Sequence, residues 1–355
     1  MKAFSYWNFQ LLGLVPVVLG AIHDLFVGNL FPPASIHALE FNDETNSFKL
    51  VHSYSVTSAT SIKLTKSIAA AGVCSNTTSA FIGAMSSEPF YAFSASWPGP
   101  NSCGMSFSVD GNGSLVQVTD SWKYAETSGV HGLALNERDG RQLIYSADLS
   151  ADLLWTHVVN KTSGKVKEVS RLAMRSSGMH PRHLAAHPNG KYLYVLMEKD
   201  NSLAQFELDP NTGAALRESI RLLLIPTDAD TELYWSAEVM LSHSGRYLWA
   251  TARAQRDKAI TGYISVFLLG EDGQIIKRMF RIPTTTVGGW ANAISPAFWS
   301  DEYAAMTDYP EGYVQMFKME GRLETKDGVE YTTARPVARV NITDGGCCAN
   351  VLWYS

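Results

Sequence analysis

The 355-residue sequence has little charge of either sign, and no long apolar run follows its first 21 residues. Charged residues make up 18% of the chain, and the net charge of -5 is not gathered into blocks. A nucleic-acid partner normally requires a basic stripe, and a membrane span requires about 20 consecutive apolar residues. We therefore expect neither nucleic acid nor a membrane as a partner. Hydrophobic residues make up 46%, which is enough for a folded core.

Cysteine is also scarce, with only Cys74, Cys103, Cys347 and Cys348. No CxxC spacing or other His/Asp/Glu pattern suggests a metal site, and neither a GxSxG elbow nor a glycine-rich phosphate loop is present. We therefore expect no metal and no cofactor. An even number of cysteines permits disulfides in an oxidising compartment. Adjacent cysteines would form a strained ring, so Cys74–Cys103 is the simplest pairing among the three possible connectivities.

The first 20 residues differ from the rest. Lys2 precedes a short apolar run at positions 11–21, which has the layout of a signal peptide and is too short to span a membrane. We predict a signal peptide over 1–20, one domain over 21–355, and export from the cell. N-glycosylation sequons agree with export; they occur at Asn76, Asn112, Asn160 and Asn341.

Helical periodicity is absent from a sequence that repeats about every fifty residues. An apolar strand, a polar turn and a second apolar strand recur, and the turn glycines Gly140, Gly190 and Gly245 lie 50 and 55 residues apart. Two further strands follow in each unit. Four strands per repeat are typical of a β-propeller blade.

The two ends of the chain predict how the ring closes. The C-terminal segment 349–354 reads as one strand, and residues 23–56 read as three, so together they would make one shared blade. Residues 60–128 would hold two more blades. The sequence therefore predicts an all-β, seven-bladed propeller, although the short first part of 60–128 leaves six blades and a remnant as an alternative.

The repeat register selects candidate site residues, because equivalent positions of different blades converge around the channel of a propeller. The innermost strands carry His131, Arg182 and Asn292, and the second strands end at Asp148, Glu198 and Arg253. Two guanidinium groups, a carboxylate and an imidazole suit a small polycarboxylate and leave one group for proton transfer. The alternative is a structural ion pair between blades. His180, His183 and His187 are weaker candidates.

Several stretches, in the right order, resemble the fungal carboxy-cis,cis-muconate cyclases, within the lactonase-type seven-bladed propellers that include 6-phosphogluconolactonase. The matching stretches are 127–132, 145–149, 154–157, 180–182, 196–198, 253–254 and 292–296. The resemblance implies that His131, Arg182, Glu198 and Arg253 are the catalytic residues of a cofactor-free lactone-forming cycloisomerase. Either His131 or Glu198 would be the general acid. Family members that act inside the cell begin near the position of His23 and lack the signal peptide.

Asp148 and Asn292 are predicted to contact the substrate, a small polycarboxylate or lactone. Two alternative functions remain at this point, a secreted lactonase that hydrolyses a sugar or other lactone and a secreted propeller that binds a ligand without catalysis. The sequence does not indicate the oligomeric state.

Overall fold

The computed structural model describes residues 22–29, 35–55, 74, 79–255, 258–287, 293–309 and 311–354. Nearly all regular structure in these residues is β-strand, and a short 3₁₀ helix spans Thr231–Leu233. Within them, no helix has the length and apolar character needed to cross a membrane.

The strands of the described residues form six four-stranded antiparallel sheets, each of which is a propeller blade. Blade 1 contains β26 (Val351–Tyr354), β1 (Ile22–Gly28), β2 (Ser35–Asn42) and β3 (Ser47–Ser55). Blade 2 contains β4 (Ser79–Ala84), β5 (Tyr91–Ser96), β6 (Cys103–Val109) and β7 (Leu115–Lys123). Blade 3 contains β8 (Val130–Arg138), β9 (Arg141–Asp148), β10 (Leu153–Val159) and β11 (Val166–Ala173).

The last three blades follow the same order. Blade 4 contains β12 (Pro181–Ala186), β13 (Tyr192–Met197), β14 (Ser202–Leu208) and β15 (Ala215–Leu223). Blade 5 contains β16 (Tyr234–Leu241), β17 (Tyr247–Ala254), β18 (Thr261–Leu269) and β19 (Ile275–Val287). Blade 6 contains β20 (Ile294–Pro296), β21 (Tyr303–Asp308), β22 (Tyr313–Glu320) and β25 (Thr333–Asn341), with a hairpin of β23 (Leu323–Thr325) and β24 (Gly328–Glu330) inserted before its last strand.

The blade count differs from the predicted seven. Residues 60–128 were expected to hold two blades, but the described part of this range contains only blade 2. The segment 56–78, on which the other blade would fall, is about half as long as a repeat and lies outside the described residues except for Cys74. The all-β propeller is confirmed, and the described residues form six blades, the alternative that the short segment had left open.

The two chain ends share blade 1, as the sequence predicts. Strand β26 pairs antiparallel with β1, and Val27 lies opposite Val351. The contact continues where Gly28 N donates to Asn350 O at 3.2 Å and Ala349 N donates to Gly28 O at 2.8 Å. The last strand is therefore innermost in its blade, as β4, β8, β12, β16 and β20 are in theirs.

The core lies between neighbouring blades rather than in one central mass. One buried cluster joins the second and third strands of blade 4 to the four strands of blade 5, and burial of this apolar surface stabilises the blade interface. Its members include Tyr194, Leu196, Leu203, Val239, Leu248 and Ala250.

Hydrogen bonds between blades repeat as well. Tyr145 Oη donates to the carbonyl of Gly213 in the next blade at 2.8 Å, and Tyr194 Oη donates to Gly273 O one blade farther on. Gly213 and Gly273 have φ values of +78° and +85°, which favour glycine, and each carries the turn between the third and fourth strands of its blade.

Both pairs of cysteines are bridged. The predicted Cys74–Cys103 disulfide is confirmed, and it buries both residues against blade 2. Cys347 and Cys348 are also joined, which the sequence argument had disfavoured. Their peptide bond is cis and their Cα atoms lie 3.0 Å apart, a geometry that places adjacent sulfur atoms side by side.

Trp353 tests the closure of the ring. Its indole packs edge-on against Trp299 at 4.6 Å, and its Nε1 donates to Ser295 O at 3.0 Å, so it ties β26 to blade 6. Replacement by alanine removes both contacts, and we expect Trp353→Ala to lower the free energy of unfolding by about 2–3 kcal/mol in urea titrations. The neighbouring Leu352, 68% exposed, is the control, and Leu352→Ala should change it by less than about 0.5 kcal/mol. Equal losses for the two variants would contradict this account.

Candidate active site

Irregularities in three neighbouring innermost strands place the site residues. One extra residue interrupts the pairing of β8 between Val130 and Gly132, and another interrupts β12 between Pro181 and His183. A third irregularity falls in β16 between Ser236 and Val239. A β-bulge of this kind re-aims the side chain it carries. The bulges contain His131, Arg182 and the pair Ala237–Glu238.

Gly132 allows the first two of these strands to approach. A Cβ at this position would lie 2.5 Å from the Arg182 carbonyl oxygen and 3.0 Å from the Cα of His183. These are backbone contacts and cannot move aside cheaply. A glycine here therefore permits the imidazoles of His131 and His183 to meet across the blade boundary.

Two arginines from adjacent blades share one carboxylate oxygen. Arg253 Nη2 donates to Glu198 Oε1 at 2.8 Å, and Arg182 Nε lies 3.1 Å from the same atom. Arg182 and Arg253 are only 9% and 6% exposed. Burial, together with the charge of Arg182, lowers the pKa of Arg253 to about 9. Because one carboxylate faces two cations, this cluster carries positive charge that suits an anionic ligand.

The donors of the cluster are incompletely used. Within the described part of the chain, Nε of Arg253 is buried without a hydrogen bond, and Nε of Arg182 has only its unaligned contact with Glu198 Oε1. A buried donor without an acceptor is costly, and a ligand carboxylate would satisfy it. Trp235 lies against the Arg253 guanidinium, 5.7 Å from ring centroid to Cζ, and helps hold its orientation.

Beside the arginines, two histidines and a glutamate form a hydrogen-bonded chain. His131 Nδ1 lies 3.0 Å from His183 Nε2, and His183 Nδ1 lies 2.6 Å from Glu238 Oε1. Burial and the nearby charges of Arg182 and Arg253 hold the pKa of both imidazoles well below the ordinary value. Burial raises the pKa of Glu238 to about 7. At neutral pH the two imidazoles are therefore uncharged.

A cavity of about 440 Å³ lies at the centre of the ring, lined by residues of or next to the innermost strands of blades 1, 2, 5 and 6. Most of its lining is apolar, as at Phe81, Met240 and Ile294. Among its described lining residues, Glu238 is the one ionisable side chain. Glu238 therefore touches the cavity on one side and His183 on the other. The described residues contain no group of three or more His, Cys, Asp or Glu side chains arranged to hold a metal ion.

Comparisons with known proteins identify the family of the chain. Residues 91–288, more than half of the chain, match the family described as Lactonase, 7-bladed beta-propeller. The carboxy-cis,cis-muconate cyclase of Neurospora crassa is 31% identical, over 94% of this chain and 99% of the relative. The chain belongs to the lactonase-type β-propeller family. The muconate cycloisomerase 1 of Cutaneotrichosporon cutaneum is 27% identical over 58% of this chain and 56% of its own.

Among solved structures, the periplasmic gluconolactonase of Pseudomonas aeruginosa superposes with a TM-score of 0.68 at 15% identity. The match covers 94% of this chain and 99% of that structure, and it shows the shared fold alone. The resemblance inferred from the sequence motifs is therefore confirmed at the level of the family.

Within this lactonase-type propeller, the four residues predicted as catalytic lie in one cluster around the start of β12. Asp148 has a different environment. It is fully buried, Oδ1 accepts from Gly129 N at 2.9 Å and Ala151 N at 3.1 Å, and Oδ2 accepts from Trp155 Nε1 at 3.0 Å. These bonds assign Asp148 to holding the turn after β9, and leave it no surface for substrate. Asn292 lies outside the described residues and stays a prediction.

Sequence reasoning overlooked Glu238 and ranked His183 as a weak candidate. Both hold the same position in successive repeats, because each immediately precedes the aligned apolar residue, Leu184 or Val239. The chosen positions, those of His131 and Arg182, lie one residue earlier. The repeat register therefore aligned His183 with Glu238. Alternation along a regular strand predicts, however, that a residue next to a channel-facing one points to the opposite face, and the bulges break that rule.

The raised pKa of Glu238 predicts a pH-dependent stability. An unfolded chain would release this proton near pH 4.5, so the stabilisation is complete below that pH and is lost as pH rises through about 7. The side chain of Glu238→Gln stays neutral at every pH, so the variant does not lose this stabilisation. Its free energy of unfolding relative to wild type should therefore rise by up to about 3 kcal/mol between pH 5 and pH 8.5, measured by urea titration.

Asp308, whose pKa burial raises to about 6, titrates in both proteins and cancels from the difference. Glu207→Gln, in an ion pair with Arg217 on the outer strands of blade 4, is the control and should show no such pH dependence. If the free energies of unfolding of wild type and Glu238→Gln differ by the same amount at both pH values, Glu238 is not a buried carboxyl that is protonated at pH 5.

Proposed function

We propose that this protein is a cofactor-independent cycloisomerase that forms a lactone from an unsaturated polycarboxylate of the carboxy-cis,cis-muconate type. The observation that carries the proposal is the buried pair Arg182 and Arg253 on a single carboxylate oxygen, beside an uncharged histidine. The similarity to the Neurospora crassa cyclase over nearly the whole of both chains supports the same reaction.

The reaction needs charge stabilisation and one proton. A substrate carboxylate oxygen adds to the conjugated double bond and forms the ring C–O bond. The electron pair of the double bond moves onto the other conjugated carboxylate, and a proton then adds to carbon, so the product is an isomer of the substrate. Arg182 and Arg253 would bind the carboxylates and stabilise the charge that develops on them.

We assign the general-acid role to His131 rather than to Glu198. Glu198 Oε1 accepts from one guanidinium and lies in ion-pair contact with the other, so its part is to hold Arg182 and Arg253 in place. His131 Nδ1 is engaged by His183, which leaves Nε2 for the reacting group. Trp97 packs edge-on against the His131 ring with centroids 5.4 Å apart and limits its rotation.

Loss of the diene ultraviolet absorbance of 3-carboxy-cis,cis-muconate tests the proposal. We expect the wild-type chain to consume it and Arg182→Gln to lower kcat/KM by about 10²–10³, because one donor to the developing charge is lost. Arg217→Gln is the matched control, since Arg217 lies in the same blade as an exposed arginine, paired with Glu207 at 2.9 Å, and should retain full activity. A folded wild-type protein without activity on the diene would overturn the muconate assignment and direct the search to lactones as substrates.

We also propose that the protein is exported after removal of residues 1–20 and is glycosylated. The predicted signal peptide and Asn76 lie outside the described residues. Asn112, Asn160 and Asn341 are exposed, as an acceptor must be.

Expression of the full chain in a eukaryotic secretory host tests export. We expect protein in the medium with an N-terminus at Ala21, and a mass that falls on treatment with peptide N-glycosidase. Asn160→Gln should reduce that mass change, whereas Asn136→Gln, outside any sequon, should leave it unaltered. Intracellular protein that retains Met1 would show the proposal to be wrong.

A further inference from the structure

We propose that Glu238, His183 and His131 form a proton relay that delivers the proton of the ring-closing step from the central cavity to the substrate, an inference that rests on the proposed function. The relay has three groups on three adjacent blades. Their contacts, His131 Nδ1 to His183 Nε2 at 3.0 Å and His183 Nδ1 to Glu238 Oε1 at 2.6 Å, are both of hydrogen-bond length.

The two contacts couple the tautomers of the histidines. When Glu238 carries a proton and donates it to His183 Nδ1, His183 must carry its own proton on Nε2 and donate it to His131 Nδ1. His131 then holds its proton on Nε2, the nitrogen available to the substrate. When Glu238 is ionised, each bond reverses: His183 Nδ1 donates to the carboxylate, His131 Nδ1 donates to His183, and His131 Nε2 is bare.

Proton delivery follows from the change between these two states. His131 Nε2 gives its proton to the substrate carbon while Nδ1 receives the proton of His183 Nε2, and His183 Nδ1 receives the proton of Glu238. The two N–H bonds that break are replaced by two that form, so the net change is that the O–H bond of Glu238 breaks as one C–H bond forms: Glu238 loses a proton and the substrate gains it. Neither imidazole becomes charged at the end of the step.

The surrounding charges favour such a relay over an imidazolium ion. Arg182 lies beside His183 on β12, with Nη1 3.5 Å from His183 Nδ1, and Arg253 approaches from β17. These two cations disfavour a third positive charge on either ring, and Glu198 on the far side is engaged with both of them. Neutral tautomers can still pass a proton. The arginines therefore stabilise the developing anion without requiring a charged histidine as the acid.

Glu238 is suited to be the proton store. It is buried yet lines the cavity, from which water can reprotonate it after each turnover. Its titratable neighbours are His183 and Arg182 of β12, and the cavity-lining residues of β4, β20 and β26 bring none. Its raised pKa of about 7 leaves a proton to give at neutral pH.

Imidazole ¹⁵N spectra of histidine-labelled full-length protein test the relay without substrate. Between pH 5.5 and pH 8.5 we expect the proton of His131 to move from Nε2 to Nδ1 and that of His183 from Nε2 to Nδ1, at one shared midpoint. In Glu238→Gln, which keeps the shape but has no proton to release, neither tautomer should change. Independent titration of the two rings, or a coupled change that survives in Glu238→Gln, overturns the relay.

Steady-state kinetics provide the second test of the relay. Glu238→Gln should lower kcat by about 10²–10⁴ with KM within about twofold, because the arginines remain, and wild-type kcat should fall as pH rises through about 7. Glu302→Gln, a partly buried carboxylate that accepts from Tyr331 Oη at 3.0 Å in blade 6, is the control and should keep the wild-type profile. A Glu238→Gln variant with wild-type kcat and pH profile overturns the proposal.

The two arms separate the relay from the proposed function. If the tautomers are coupled but the protein is inactive on muconate, the hydrogen-bonded relay is supported and the cyclase function is refuted. If the enzyme is active but the tautomers are uncoupled, the cyclase function is supported and the relay is refuted. Should Glu238→Gln fail to fold, the wild-type spectra still decide, because a single midpoint for both rings is required.

Discussion

Strand β26 pairs with β1 over only four residues, and this contact joins the two ends of the chain in one sheet. A ring of blades without it would leave unpaired strand edges on both sides of the gap. Closure also determines the spacing of the innermost strands, because each blade is held between two neighbours. The site residues come from blades 3, 4 and 5, so their separations of about 3 Å depend on a ring that cannot open.

Burial of like charges is the main electrostatic feature of the site. Two guanidinium groups contact one carboxylate oxygen, which leaves one positive charge unpaired. All three groups have low exposure, and burial raises the free-energy cost of that unpaired charge. An anionic ligand would neutralise this charge and offset the cost, so the site of the free protein already favours binding of an anion. The same two cations keep His131 and His183 uncharged, which connects the strength of anion binding to the protonation state of the acid.

Every blade contains departures from regular pairing, and three of them lie at the site. β8, β12 and β16 each contain a bulge at the level of the site. A regular strand would send alternate side chains to opposite faces, and Arg182 and His183 could not both take part in one cluster. The bulge in β12 lets two consecutive residues do so, one toward Glu198 and the other toward Glu238.

Much of this arrangement could be read from the sequence. The turn glycines, the alternation within strands and the split blade at the termini predicted an all-β propeller, and the repeat register picked out His131, Arg182, Glu198 and Arg253. Register fails at Asp148, which shares the position of Glu198 but precedes a turn that uses its carboxylate for backbone hydrogen bonds. The sequence does not show which carboxylates are consumed locally and which are left for a ligand.

The sequence by itself determined the all-β propeller, its four-stranded repeat and the residue types brought to the channel, but not the number of blades, because the first three depend on periodicity and local turn chemistry. Only the tertiary structure decided the chain from His131 through His183 to Glu238 and the sharing of Glu198 by two arginines. Three of those four contacts span 52 to 55 residues of sequence, and the cluster depends on one-residue bulges, which no periodic pattern predicts. The protonation of the site depends on the same distances, since burial and neighbouring charge exist only once the blades have packed.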